Sequence, residues 1–110
     1  MYLCKPSWKS KGNKNEWISV DLGAVSKIEK VYFHWVNKPL SGRVLLSNDG
    51  KEWNDVATIG AESEIALKKV SARYIRAMLD STANGEAFEL AELEVFGRGG
   101  VKAVAARQAT

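Results

Sequence analysis

Cysteine occurs once, at Cys4, and histidine once, at His34. A lone thiol makes an intrachain disulfide impossible and leaves no cysteine-based zinc site. Cys4 is read as a free thiol near a chain end. A catalytic thiol would want a histidine partner. The single candidate, His34, lies mid-strand beside Trp35 and is read as structural. No apolar run approaches the roughly 20 residues of a transmembrane helix. No long stretch has the period of an amphipathic helix. Nucleophile motifs, a Walker loop and zinc-ligand spacing are also missing. Met1 to Asn15 carries lysines but no apolar stretch of the kind a signal peptide needs. The chain therefore reads as cytoplasmic, or as a mature or excised piece of something exported.

Charge of one sign is also scarce. The chain has 110 residues and a net charge of +3. Arg98, Lys102 and Arg107 in the tail account for all of it, so residues 1–97 are neutral. A nucleic-acid binder usually shows a basic body or a basic stripe with interleaved aromatics. No nucleic-acid partner is expected here. Hydrophobic residues make up 45% and charged residues 26%, the balance of an ordinary globular domain. The length suits one domain.

What is present is a series of short alternating blocks. Trp17 to Leu22 places Ile18, Val20 and Leu22 on one face and Trp17, Ser19 and Asp21 on the other, the pattern of a half-buried strand. Gly23 ends it. Ile28 to Val36 follows, with Val31, Phe33 and Trp35 inward and Tyr32, His34 and Val36 outward; both faces are largely apolar, as in a central strand. The breakers of 37–42 make a loop. Arg43 to Ser47 and Trp53 to Ile59 form a hairpin around Asn48-Asp49-Gly50, residues that bond their own backbone or accept positive φ. Ser63 to Leu67 is a weaker strand, linked by 68–71 to Arg73–Asp80. Phe88 to Phe96 closes the series, with a slip of phase between Leu90 and Ala91 that predicts a bulge. A helix over Glu86 to Glu94 competes there on propensity, but Val95-Phe96-Gly97 continues the period of two. Residues 1–16 read as loop. Trp8 within them is either a plug for one end of the core or an exposed stacking platform. About seven short strands without a long helix indicate an all-β sandwich or barrel. It spans residues 1–97, with 98–110 as linker or tail.

Four blocks carry a family resemblance: Trp17-Ile18-Ser19-Val20-Asp21-Leu22-Gly23, Ser47-Asn48-Asp49-Gly50-Lys51-Glu52-Trp53, Ala72-Arg73-Tyr74-Ile75-Arg76 and Glu92-Leu93-Glu94-Val95-Phe96-Gly97. In order and spacing, over residues 8–97, they resemble the discoidin domain, also called the coagulation factor 5/8 type C domain. Bacterial members overlap with family 32 carbohydrate-binding modules. The resemblance implies a jelly-roll β-sandwich of the galactose-binding type, with eight strands and ligand-binding loops at one end. The Phe96-to-Gly100 ending looks like modules embedded in glycoside hydrolases. The family usually opens with a further strand and a calcium loop before a Trp-x-Ser. Trp8-Lys9-Ser10 matches that motif, and what precedes it is short, so the sandwich is expected to be truncated at its first strand. Glu92 resembles a calcium ligand of the family, although calcium needs six to eight oxygens and a solvated carboxylate is the competing reading. No cofactor is expected to be required. Vertebrate members tie their ends with a disulfide, which Cys4 alone cannot do.

Function is expected in binding rather than catalysis. Glu92 and Glu94 share one strand face, whereas glycosidase carboxylates flank the scissile bond from opposite sides. If each strand reverses direction, the segments before Trp17 and at 37–42, 60–63 and 81–87 emerge at one end, and the turns at 23–27, 48–52 and 68–71 at the other. The first set corresponds to the ligand end of the family. It supplies Trp8, Asn37, Lys38, Arg43, Asn84, Glu86 and Phe88 as candidate sugar contacts, aromatics for stacking and polar groups for hydroxyls. The expected partners are a carbohydrate and the domains of a parent enzyme, outside the cytoplasm of a bacterium: extracellular, periplasmic or at the cell surface. A structural spacer is the alternative, docking through an outer-face patch of Tyr32, Val36 and Met78. A phospholipid-binding role ranks behind both, because only Leu40 offers an apolar spike on the loops.

Overall fold

The computed structural model describes residues 8–97, 100 and 101. Its strands are β1 (Trp8–Lys9), β2 (Lys14–Asn37), β3 (Gly42–Ser47), β4 (Asn54–Ile59), β5 (Glu64–Ser81), β6 (Glu89–Gly97) and β7 (Gly100–Val101). All pairings are antiparallel, in the order β1-β6-β2-β5-β3-β4, with β7 also on β6. No helix is present among the described residues. Cys4 and most of the tail lie outside the described residues, as does the stretch in which an opening strand was expected to be short.

Two pairs of predicted strands are continuous. β2 joins the Trp17 and Ile28 blocks, and β5 joins the Ser63 and Arg73 blocks. Straight, the 24 residues of β2 would span about 80 Å at the usual rise. The longest dimension of the molecule is 37 Å, so the β2–β5 ribbon has to fold over. It does so at residues 22–25, where the register jumps from Asp21↔Tyr74 to Ser26↔Ala72. Gly23 sits there with φ of 86°, and its amide donates to Asp21 Oδ1 at 2.8 Å. Arg73 donates to both oxygens of the same carboxylate, at 2.8 and 3.0 Å. That pairing raises the Arg73 pKa, chiefly through the hydrogen bonds.

The fold-over makes the sandwich. One layer holds β4, β3, the second half of β5 and the first half of β2; the other holds the first half of β5, the second half of β2, β6 and β1. Between them lie Ile18, Val20, Val31, Phe33, Val44, Leu46, Ile75, Leu79, Leu93 and Val95, all buried, the inward parities read from the sequence. Burying a side chain of this size contributes roughly 1.5–3 kcal/mol. The second half of β2 is central, between β5 and β6. The predicted bulge on β6 is present: Trp35 pairs with Leu90 and His34 with Glu92, so Ala91 is extra.

On the outer face of the first layer, Arg76 lies between two indoles, 3.9 Å from the Trp17 ring centroid and 4.0 Å from that of Trp53. Its Nε donates to Ser19 Oγ at 2.9 Å. Burial lowers the guanidinium's pKa, and stacking between π faces offsets part of the lost hydration. The patch expected for a spacer does not form. Tyr32 and Val36 belong to one layer and Met78 to the other, so their outer faces point apart, and Tyr32 is covered by His34.

Candidate functional site

The segments at 10–16, 37–42, 60–63 and 81–88 meet at one end, as the strand parities predict. The reason lies in the fold-over, which brings both ends of the β2–β5 ribbon to the same side. Pro39 bridges to Thr82, and the Leu40 amide donates to the Ser81 carbonyl at 2.7 Å. Lys38 Nζ reaches the Ala61 carbonyl at 3.5 Å.

At the centre is a pair of amides. Asn37 Nδ2 donates to Asn84 Oδ1 at 3.2 Å, and Asn84 Nδ2 donates back to Asn37 Oδ1 at 3.2 Å. Asn37 Nδ2 also donates to the Ala87 carbonyl at 2.7 Å. Both of its N–H groups are thus engaged, so Asn37 shapes the 84–87 turn rather than facing a ligand with a spare donor. Asn84 Oδ1 accepts the Glu86 amide at 3.0 Å, an Asx turn completed by Gly85 at φ of 75°. Thr82 Oγ1 donates to the Glu86 carbonyl at 2.7 Å. The carboxylate of Glu86 is exposed at the tip of this turn.

Two predicted sugar contacts belong to the core instead. Phe88 is 0% exposed and Trp8 is 7% exposed, so neither ring presents a face to a ligand. Ser10 ties together the segments that carry them. Its amide donates to the Phe88 carbonyl at 3.0 Å, its Oγ accepts the Phe88 amide at 2.9 Å and donates to the Gly12 carbonyl at 2.6 Å. The Trp-x-Ser motif therefore plugs the core with its indole and splices the first loop to the last with its serine. Arg43 also stands apart. It is on β3 beside Met78 and Thr58, with Nε 3.1 Å from Asp55 Oδ2, on the outer face rather than in the loop cluster.

Asn13 was not among the residues singled out from the sequence. Its Nδ2 donates to the Gly85 carbonyl at 2.6 Å, tying the first loop to the 84–87 turn. The Gly12-Asn13 turn pair was its only sequence signal. Leu40, 59% exposed, adds an apolar surface at this end. Trp35, two residues before Asn37, is half-buried against the core and stacks on Phe33 at 5.2 Å. A concavity of about 320 Å³ lined by Thr58, Gly60, Ala61, Glu62, Glu64 and Ile65 borders the cluster through Ala61. A second, of about 230 Å³, lies against Asp21, Trp53, Tyr74 and Arg76, away from these loops.

Glu92 is not in the loop cluster. It is paired in register with His34, and the donors gathered there among the described residues are one imidazole and the carboxylates of Glu92 and Glu94. Calcium takes six to eight oxygen ligands, more than these side chains offer by themselves.

Against this geometry the comparisons with known proteins are consistent. The F5/8 type C domain model matches residues 5–93. No curated protein sequence matches the chain. A chitosan-binding module, module 1 of a Paenibacillus chitosanase/glucanase, is similar in structure, with a TM-score of 0.75 and 26% identity over 83% of this chain and 75% of that one. Module 2 of the same enzyme, solved with chitotriose, has a TM-score of 0.73 and 24% identity over 83% and 77% of the two chains; at that identity it speaks for the fold. A family 89 glycoside hydrolase of Clostridium perfringens has a TM-score of 0.72 and 25% identity over 84% of this chain. The chain spans 11% of that enzyme's length. With its sandwich, its loop end and a match over most of its length, the chain belongs to the F5/8 type C domain family.

Proposed function

We propose that this domain is a non-catalytic carbohydrate-binding module that holds a glycan at its loop end. The observation that carries the reading is the convergence of Asn13, Asn37 and Asn84 on the 84–87 turn, in a fold shared with a chitosan-binding module. Asn84 and Glu86 would bond sugar hydroxyls, and Lys38 would close one side. Asn37 holds the turn in shape. With Trp8 and Phe88 in the core, the apolar contact to the sugar would come from exposed Leu40 and half-buried Trp35. Ligand binding requires no calcium. The module would belong to an exported bacterial glycoside hydrolase and keep its catalytic domain on the glycan.

Amide NMR titration against chitooligosaccharides, galactose and N-acetylgalactosamine tests this. Saturable shifts are expected at residues 13–15, 37–40, 60–62 and 83–87. Glu86→Ala and Asn84→Ala should each weaken binding by about tenfold, the scale of losing one hydrogen bond to a charged or polar partner. A folded spectrum unmoved by every sugar, or shifts at the opposite end, would overturn the reading.

A further inference from the structure

Away from the loop end, three chemistry-bearing side chains meet on the outer face of the β6 layer. His34 Nε2 lies 2.7 Å from Glu94 Oε1. Glu92 stands opposite His34 in register. One ligand atom from each of the three residues lies within 4.8 Å of the others. All three side chains are half-buried. Tyr32 stacks flat on the imidazole, with centroids 4.3 Å apart and planes at 9°, which limits the ring to few orientations. The bulge at Ala91 produces this arrangement. With Trp35 on Leu90 and no extra residue, His34 would face Ala91, and Glu92 would stand opposite Phe33.

The geometry points to a divalent transition-metal site of the zinc(II) class, formed by His34 Nε2 and one oxygen each from Glu92 and Glu94. An imidazole with two carboxylates suits zinc and its first-row neighbours, which accept mixed nitrogen and oxygen donors. Three protein ligands on one face leave the solvent side for water, the usual open tetrahedral arrangement. Bonds of about 2.0 Å place tetrahedral ligand atoms about 3.3 Å apart. The His34–Glu94 pair therefore opens slightly and Glu92 swings inward, movements within reach of glutamate rotamers. On binding, the metal takes the place of the His34–Glu94 hydrogen bond.

The test uses the full chain carrying Cys4→Ser, so that no thiol competes, stripped of metal by chelator dialysis. Zinc(II) calorimetry is expected to give one ion per chain. His34→Ala and Glu92→Gln should each weaken it at least tenfold, since even changes outside the ligand shell cost about that much. Zinc-induced amide shifts on the otherwise unsubstituted chain should centre on residues 32–35 and 91–95, which needs no further variant to fold. No zinc binding, equal binding by a folded His34→Ala variant, or shifts centred elsewhere would overturn the assignment. The readout is independent of any sugar, so it stands or falls apart from the glycan reading.

Discussion

Ser47 and Asp49 close the β3–β4 hairpin between them. Ser47 Oγ accepts the amides of Asp49 and Gly50, at 3.2 and 2.8 Å. Asp49 Oδ1 accepts those of Lys51 and Glu52, at 2.8 and 3.0 Å. These backbone donors, first Glu52 and then Lys51, hold the Asp49 carboxyl below its ordinary pKa. A depressed folded pKa means that the unfolded chain takes up the proton first as pH falls. The stabilisation is present above the unfolded carboxylate pKa and is lost as pH falls through the folded one. Carboxyl carbon NMR should show Asp49 titrating below the ordinary aspartate value. An Asp49→Asn variant should lose part of the acid dependence of stability in urea melts performed from neutral to strongly acidic pH. Equal acid dependence in both proteins would contradict the role.

At the level of elements, β3 approaches β5 more closely at Gly42 than a side chain permits. A Cβ on Gly42 would run into the Met78 carbonyl oxygen, a backbone atom that cannot move without disturbing the ladder. Gly42 is also the first paired residue on both edges of β3, facing Ile59 and Leu79. Gly42→Ala should therefore cost about 1–3 kcal/mol, the range for overpacking, and lower the urea midpoint accordingly. Hydrogen exchange should quicken first in β3 and β4. Sequence reading located these strands within one or two residues, because β3 has one buried face and the Asn48-Asp49-Gly50 turn bounds the hairpin. It did not register the continuity of β2 or β5. Gly23 and the Lys68-Lys69 link read as breaks, yet the fold-over keeps the strands paired on either side of them. Trp8–Lys9 was invisible as a strand because two residues carry no period.

For the molecule as a whole, the bend at residues 21–26 decides where everything else goes. Asp21 joins the Gly23 turn of β2 to Arg73 of β5, across the fold-over that both layers share. Asp21→Ala removes the acceptor for three donors at once. It should lower the urea midpoint and, because both layers depend on the bend, should lower the stability measured by probes in either layer equally. Loss confined to one layer would show that the layers are held independently. The same bend brings the 10–16 and 37–42 loops side by side, so a weakened bend should also blur the amide shifts that the proposed glycan would cause at the loop end.

Several features were fixed by sequence alone. The alternating blocks determined an all-β sandwich or barrel, since a period of two over a buried face is a strand signal, and the family resemblance selected the sandwich. The four motif blocks determined the family. The order of strands determined which loops share an end. The tertiary structure decided which residues at that end are available. Trp8 and Phe88 look like binding aromatics in a list of loop residues, but both rings are buried in the core, where Ser10 bonds the Phe88 backbone. Asn37 looks like a contact and is spent on its neighbours. The meeting of His34, Glu92 and Glu94 depends on a one-residue bulge. The phase slip announced that bulge, but its partner strand could be known only once the chain had folded over.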